Sequence, residues 1–310
     1  MAGTRGTITD RILAQLGGAG LLEKIRDLPM ADFHSFLLEL YHQRADGVSP
    51  AGLVKAFQSN RFSVPSELDP VAYHAFEADL LALAQRQGME AVLLSPVAPF
   101  ASCAAFGCVD QNKVVSAARG TEVLADPTNM LAVIIARLLK EKKADNRVPL
   151  HYCTTARVLR AQPFPNRKGY YSHFGIFCIV SSGKDTGSYA CEKNMLAKQL
   201  TYYQNLLVKQ YNAKLSIMIR KNHGYADGGG FLERMAAMVL DTFPGVPVST
   251  DMEYEDSHYY RGMHYKLFMD KENERVEIGD GGFVDWPRQM TGNPKERMLI
   301  SGIGMDRLLI

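Results

Sequence analysis

Close to the end of the chain the sequence reads Ser301-Gly302-Ile303-Gly304-Met305-Asp306-Arg307-Leu308-Leu309. Glycines at alternate positions run directly into an apolar and charged helical start. In a strand, residues two apart share a face, so this pattern describes a strand whose missing side chains let a flat ligand lie close to the backbone. Arg307 then points into the site from the helix that follows. Strand glycines also mark plain tight packing, so the stretch gains meaning only with three segments upstream.

Immediately before it come Tyr260-Arg261-Gly262-Met263-His264-Tyr265 and Gly279-Asp280-Gly281-Gly282-Phe283-Val284-Asp285. Glycines beside acids, with an arginine on a facing strand, can floor a pocket for a small zwitterion. Further upstream, Ala156-Arg157-Val158-Leu159-Arg160-Ala161-Gln162 leads through the basic loop 163–169, PFPNRKG, into the aromatic strand 170–177, YYSHFGIF. Such a hairpin suits ATP: guanidinium on phosphate, an amide on the base edge and a phenyl face under the purine. An arginine in a strand is more often a solvated residue, and the basic loop weighs against that. The last segment is Leu124-Ala125-Asp126-Pro127-Thr128-Asn129-Met130, where an acid and a hydroxyl precede a helix. A plain Asp or Thr N-cap explains it as well as ligand binding does.

Around these segments the pattern predicts an α+β fold. Strands are expected at 170–182, 214–221, 265–270 and 275–282, and a short buried strand in Met89-Glu90-Ala91-Val92-Leu93-Leu94-Ser95-Pro96. Helices are expected at 69–87, 126–141, 190–211 and 229–241. Strands cluster late and rarely alternate with helices, which favours a largely antiparallel sheet over a doubly wound one. Residues 1–68 form a separate region of about three helices, divided at Gly17-Gly18 and Gly47-Val48-Ser49-Pro50, and residues 69–310 form the main domain. Gly228-Gly229-Gly230 reads as a mobile lid or hinge, and His223 as a surface histidine. Tyr202, Tyr203, Met235 and Met238 read as core.

Composition sets outer bounds. The 310 residues are 46% hydrophobic and 22% charged, with 26 Gly and 14 Pro, so the chain is globular rather than disordered or fibrous. With 35 Lys+Arg against 33 Asp+Glu the net charge is +2, which argues against a dedicated nucleic-acid binder. The apolar stretch 91–109 contains Pro96, Pro99 and Gly107, against a membrane span. The start, MAGTRGTITDRI, lacks a secretory apolar core. Five cysteines at irregular spacing (Cys103, Cys108, Cys153, Cys178, Cys191) read as reduced thiols, hence a cytoplasmic protein, and Cys103 and Cys108 as buried apolar thiols rather than half a metal site.

The order and spacing of the four segments resemble the catalytic core of class II aminoacyl-tRNA synthetases, and within them the histidyl type, across about residues 70–310. GIGMDRLL is similar to the third motif, with Arg307 as its ATP-binding arginine. RVLRAQ…RKGYYSHF is similar to the second, with Arg160 on the α-phosphate and Phe174 stacking on adenine. Gln162 stands for that motif's usual glutamate, and Arg167 and Lys168 are its basic loop. AVLLSP is similar to the dimer-forming first motif. YRGMHY resembles the segment whose arginine, here Arg261, contacts the reacting phosphate. Asp126 and Thr128 fall where the histidyl type holds the substrate's ammonium, with His264, Gly281 and Gly282 completing the amino-acid pocket.

The resemblance implies ATP, Mg²⁺ with unassigned ligands, an amino acid, and a homodimer without membrane association. It also fails at informative places. The histidine-reading positions fall near Ile176 and Val180, and His264 and Lys266 replace an Asp and a Tyr, so imidazole should not be selected. The chain ends three residues after Arg307, which predicts a core without an anticodon-binding domain. Three functions follow. The first is an ATP-dependent ligase that makes an acyl adenylate and passes the acyl group to a small amine, a carrier protein or tRNA. The second is a non-catalytic regulatory paralogue acting as a subunit of a partner enzyme. The third, a true tRNA synthetase, is least favoured.

Overall fold

The computed structural model describes residues 3–164, 171–252, 259–272 and 274–309. It opens with four helices, α1 (Gly3–Gln15), α2 (Gly20–Arg26), α3 (Met30–Ala45) and α4 (Pro50–Ser59). The expected break at Gly17-Gly18 is there, both glycines having positive φ (101° and 98°). A further break falls at Leu28-Pro29, where Pro29 lacks the N–H a continuing helix would use and becomes the residue preceding α3. No residue of α2, α3 or α4 is buried.

α5 (Pro70–Arg86) starts where the sequence predicts, with Asp69 accepting the Ala72 N–H at 2.7 Å and Pro70 in the first turn. The expected buried strand after it shrinks to β1 (Glu90–Ala91), and Leu93 is 96% exposed. β2 (Val97–Pro99), α6 (Ser102–Ala105), β3 (Ser116–Ala117) and β4 (Thr121–Val123) follow. β2, β4 and β3 form a small antiparallel sheet. Next come α7 (Pro127–Lys140), β5 (Leu150–Leu159), β6 (His173–Lys184) and α8 (Ala190–Leu206), whose C-terminal end continues as a π turn to Tyr211. The chain closes with β7 (Lys214–Lys221), α9 (Gly228–Thr242), β8 (Val248–Asp251), β9 (Met263–Lys271), β10 (Glu274–Val284), α10 (Trp286–Thr291), β11 (Glu296–Gly304) and α11 (Met305–Leu308).

The large sheet runs β1-β5-β6-β11-β10-β9-β7-β8. Its interior ladders are antiparallel, and only the edge pairs β1–β5 and β7–β8 are parallel. One face packs on α5, α8 and α9 through residues such as Leu80, Leu200, Met235, Ile217 and Leu299. The other packs on α7 and α10 through Leu131, Ile135, Val180, Ile300 and Trp286. Leu131 and Ile135 have no exposed surface, and truncating either to alanine would cost about 2–5 kcal/mol.

The triple glycine is no lid. Gly228, Gly229 and Gly230 are the first turn of α9, capped by Asp227, whose Oδ1 accepts the Gly230 N–H at 2.9 Å. A Cβ on Gly230 would lie 2.1 Å from Asp227 Oδ2, so a bare α-carbon is needed for the cap to close. Among the described residues no helix is long and apolar enough to cross a membrane.

Candidate active site

The hollow arises from one change along one face of β11. Met298 and Ile300 pack toward α7, and two and four residues later the same face carries Gly302 and Gly304. Their strand neighbours are Cys178 and Ile176 on β6 and, opposite Gly302, Asp280 on β10. Apolar cover thus stops and a cavity of about 300 Å³ opens, lined by Asp126, Thr128, Arg160, Gln162, Phe174 and Arg307 among others. A second chamber of about 310 Å³ adjoins it, walled by Cys103, Val109, Lys113 and Ala125. Both chambers are lined by Asp126, Arg160, Gln162, Tyr259, Tyr260 and Asp280.

Arg160 follows the last residue of β5. Its Nε donates to the Ala125 carbonyl at 3.0 Å, and its guanidinium lies 5.3 Å from the Phe174 ring centre. Those two contacts fix the plane of the guanidinium between the chambers. Asp126 does both things the sequence left open. It caps α7, with Oδ1 accepting the Thr128 N–H (2.9 Å) and hydroxyl (2.7 Å), and it lines the cavity. Its Oδ2 accepts from the Tyr259 hydroxyl at 2.9 Å.

Among the described residues, Asp280 is the acid with the most perturbed setting. Its side chain is exposed through the cavity mouth, while protein crowds it on the other sides. That burial, opposed by Arg160 and reinforced by Asp126 and Glu277, pushes its carboxyl up to about 6. Arg307, leaving β11 on α11, reaches the Glu277 carbonyl through Nη1 at 3.4 Å. Its neighbour Asp306 also borders the first chamber, and its carboxylate accepts from Gly175 N–H (2.7 Å) and Arg157 (3.3 Å).

Six of the residues singled out from the sequence meet in the cavity: Asp126, Thr128, Arg160, Gln162, Phe174 and Arg307. Arg167 and Lys168 lie outside the described residues. Four others line neither chamber. Arg261 runs across Gly224 and pairs with Asp285 at 3.1 Å. His264 is buried, with Nδ1 2.6 Å from Asn222 Oδ1 and its ring stacked on Tyr260 at 5.3 Å. Gly282 makes room for Tyr260, whose ring a Cβ there would meet at 2.5 Å, and Gly281 does the same for the Tyr265 hydroxyl at 2.6 Å. Their smallness places aromatic walls; it does not open the pocket itself.

Tyr171, Tyr259, Tyr260 and Glu277 also line the first chamber, although the sequence assigned none of them a role there. Asp280 sits between glycines already singled out, and only the register that puts it opposite Gly302 makes it a site residue. Among the described residues no three His, Cys, Asp or Glu side chains cluster as a metal cage. Cys103 is buried as expected, but Cys108 is exposed, against the expectation that both are buried apolar thiols.

No family model matches the sequence, and no curated protein matches it. Solved structures do. The chain is similar to apo histidyl-tRNA synthetase of S. aureus, at 16% identity and TM-score 0.59 over 79% of this chain and 68% of that one. It is similar to an ATP phosphoribosyltransferase regulatory subunit/histidyl-tRNA synthetase of Bacillus halodurans, at 11% identity and TM-score 0.61 over 81% and 82%. A third is the RNA binding domain of a threonyl-tRNA synthetase from Cryptosporidium parvum, at 9% and TM-score 0.60, of whose chain it spans 62%. The fold is that of the class II aminoacyl-tRNA synthetase core, as the sequence motifs implied.

Proposed function

We propose that the protein activates an amino acid, or a related carboxylate, with ATP. The carboxylate oxygen attacks the α-phosphorus, the bond to the bridging oxygen breaks, and pyrophosphate leaves with the electron pair. The resulting acyl adenylate passes its acyl group, with cleavage of the acyl–phosphate bond and release of AMP, to an acceptor: a small amine, a carrier protein or tRNA. One observation carries this reading. Arg160 lines both chambers, so it stands where a carboxylate in one and an α-phosphate in the other have to meet. This chemistry needs positioning and charge neutralisation more than covalent help.

The nucleotide belongs in the first chamber, where Phe174 and Tyr171 supply ring faces, Gln162 an amide, and Arg307 a second cation. The substrate ammonium belongs beside Asp126 and Asp280, and its side chain in the second chamber. Mg²⁺ characteristically binds one or two carboxylates plus substrate phosphates. Glu277, on the wall of the first chamber, supplies such a carboxylate, and an ion held there would neutralise phosphate charge.

A second reading has its own support. Arg261, the position the resemblance assigns to the reacting phosphate, is paired with Asp285 outside the cavity, and one similar structure is that of an ATP phosphoribosyltransferase regulatory subunit/histidyl-tRNA synthetase. On that reading the chain binds ligands to control a partner enzyme. ATP–pyrophosphate exchange over a panel of amino acids separates the two. Exchange with one amino acid, lost in Arg160→Ala and Arg307→Ala, supports the ligase. No exchange with any of them, together with a stable complex with a partner enzyme, supports the regulator.

A further inference from the structure

Among the described residues, the hairpin that bears Arg160 and Phe174 has no ladder pairing beyond the point where it reaches the cavity. Paired residues of β5 and β6 end at Leu159 and His173, and one further backbone bond, Arg160 N–H to the Ser172 carbonyl at 2.8 Å, follows. Beyond it the two arms, carrying Gln162 and Phe164 on one side and Tyr171 on the other, line the first chamber. Antiparallel strands hold their spacing through such rungs, so something else must hold these arms.

Arg61, in the segment after α4, fills that gap. Its Nη1 donates to the Gln162 carbonyl at 3.0 Å and to Ser172 Oγ at 2.7 Å, and its Nη2 donates to the Ala161 carbonyl. One planar fork therefore touches both arms, which a point-charge ammonium could not do with the same geometry. Three residues on, the Val64 carbonyl lies 2.6 Å from His173 Nε2. His173 Nδ1 accepts from Arg157 Nε at 2.9 Å, so the ring donates through Nε2. The N-terminal segment thus grips the hairpin at two successive points, although α2, α3 and α4 bury no residue of their own.

We propose that Arg61 is a positioning residue for the nucleotide, acting through the hairpin arms that it staples together. The proposal rests on the ATP reading of the first chamber. Arg61 lines neither chamber and acts only by fixing where Gln162, Phe164 and Tyr171 stand.

The test uses the full chain and its Arg61→Ala variant in three measurements: MgATP binding by calorimetry, amide hydrogen exchange of peptides covering 159–164 and 171–175, and thermal midpoint. The variant should bind MgATP about tenfold more weakly, as loss of charged hydrogen bonds would give. Its hairpin should exchange faster without nucleotide, and its midpoint should stay close to the parent's. Free guanidinium ion should restore part of the affinity, and Arg61→Lys should not, because it cannot bridge both arms. Unchanged MgATP affinity overturns the proposal, whether or not exchange speeds up; so does a loss that guanidinium fails to restore. If the parent chain itself binds no MgATP, the ATP reading fails. The staple is then judged by exchange alone, and unchanged exchange at 159–164 and 171–175 overturns it.

Discussion

Asp280 on β10 stands directly opposite Gly302 on β11, and the empty position of one is what gives the carboxylate of the other a cavity to face. Any side chain at 302 would project into the space in front of Asp280. The pair therefore defines both the room and the charge of the candidate site.

Asp280 gives the site a pH dependence with a definite sign. Its carboxyl is pushed up to about 6, first by burial, and only the ionised form attracts an ammonium group. Binding of an amine-bearing substrate should hold steady above about pH 7, fall to about half at pH 6, and weaken further below it, approaching about tenfold per unit. Asp280→Asn should bind more weakly and lose that dependence, as titration calorimetry between pH 5 and 8 would read. The folded state holds its proton more tightly than the unfolded chain does. Its contribution to stability is therefore full at low pH and lost as the pH rises from about 4 to about 6. A denaturation series should show Asp280→Asn free of that decline. Identical profiles for variant and parent would refute the assignment.

Two glycines of the same ladder should respond oppositely to alanine. At Gly302 an added methyl meets nothing closer than Ile176 Cγ2 and the Phe177 carbonyl, both at 3.6 Å. Gly302→Ala should fold normally and lose nucleotide binding, because the methyl occupies the cavity floor. At Gly279 the methyl would lie 2.0 Å from the Gly302 carbonyl and 2.8 Å from Ile303 Cγ2. Gly279→Ala should therefore lose stability by at least about 1–3 kcal/mol, the usual cost of overpacking. Urea midpoints beside nucleotide titrations would separate the effects.

Asp306 ties the end of β11 to the hairpin. It is 2% exposed and takes both the Gly175 N–H and the Arg157 guanidinium. Asp306→Ala leaves that amide and a partly buried cation without their acceptor, at a cost of about 3 kcal/mol. Asp306→Asn keeps an acceptor for Gly175 and should lose about half as much. Equal midpoints for all three proteins in urea would show that the pair contributes nothing.

The sequence exposes much of this fold because its local signals agree with tertiary demands. Asp69-Pro70 opens a helix where capping chemistry says it should, and KLSIMIRK is β7 residue for residue. Placement at the cavity was legible where a residue's own segment carries it there, as for Arg160, Phe174 and Arg307. It was not legible where the role depends on a partner far along the chain. Arg261 carries the right residue in the right segment, but Asp285 captures it. His264 lies behind Tyr260, a placement no strand pattern announces. Asp280 needed the β10–β11 register, and Arg61 needed the docking of a segment a hundred residues upstream. Gly228-Gly229-Gly230 misled because flexibility and helix capping ask for the same residue.

Thiol chemistry offers a direct test of the second chamber. The thiolate is the reactive form, and burial, aided by Asp126 and Glu122, pushes Cys103 up to about 12. Burial does the same to Cys153 and, with Glu192, to Cys191, and it lifts Cys178 well above the ordinary range. Cys108 alone is exposed. The native protein should release one equivalent of thionitrobenzoate rapidly from Ellman's reagent at pH 8, and all five of its cysteines should react in denaturant. Cys108→Ser should abolish the rapid phase. A second rapid thiol, lost in Cys103→Ser and in no other variant, would mean that the second chamber admits solvent and reagent freely. It would then be a poor place to hold the side chain of a substrate.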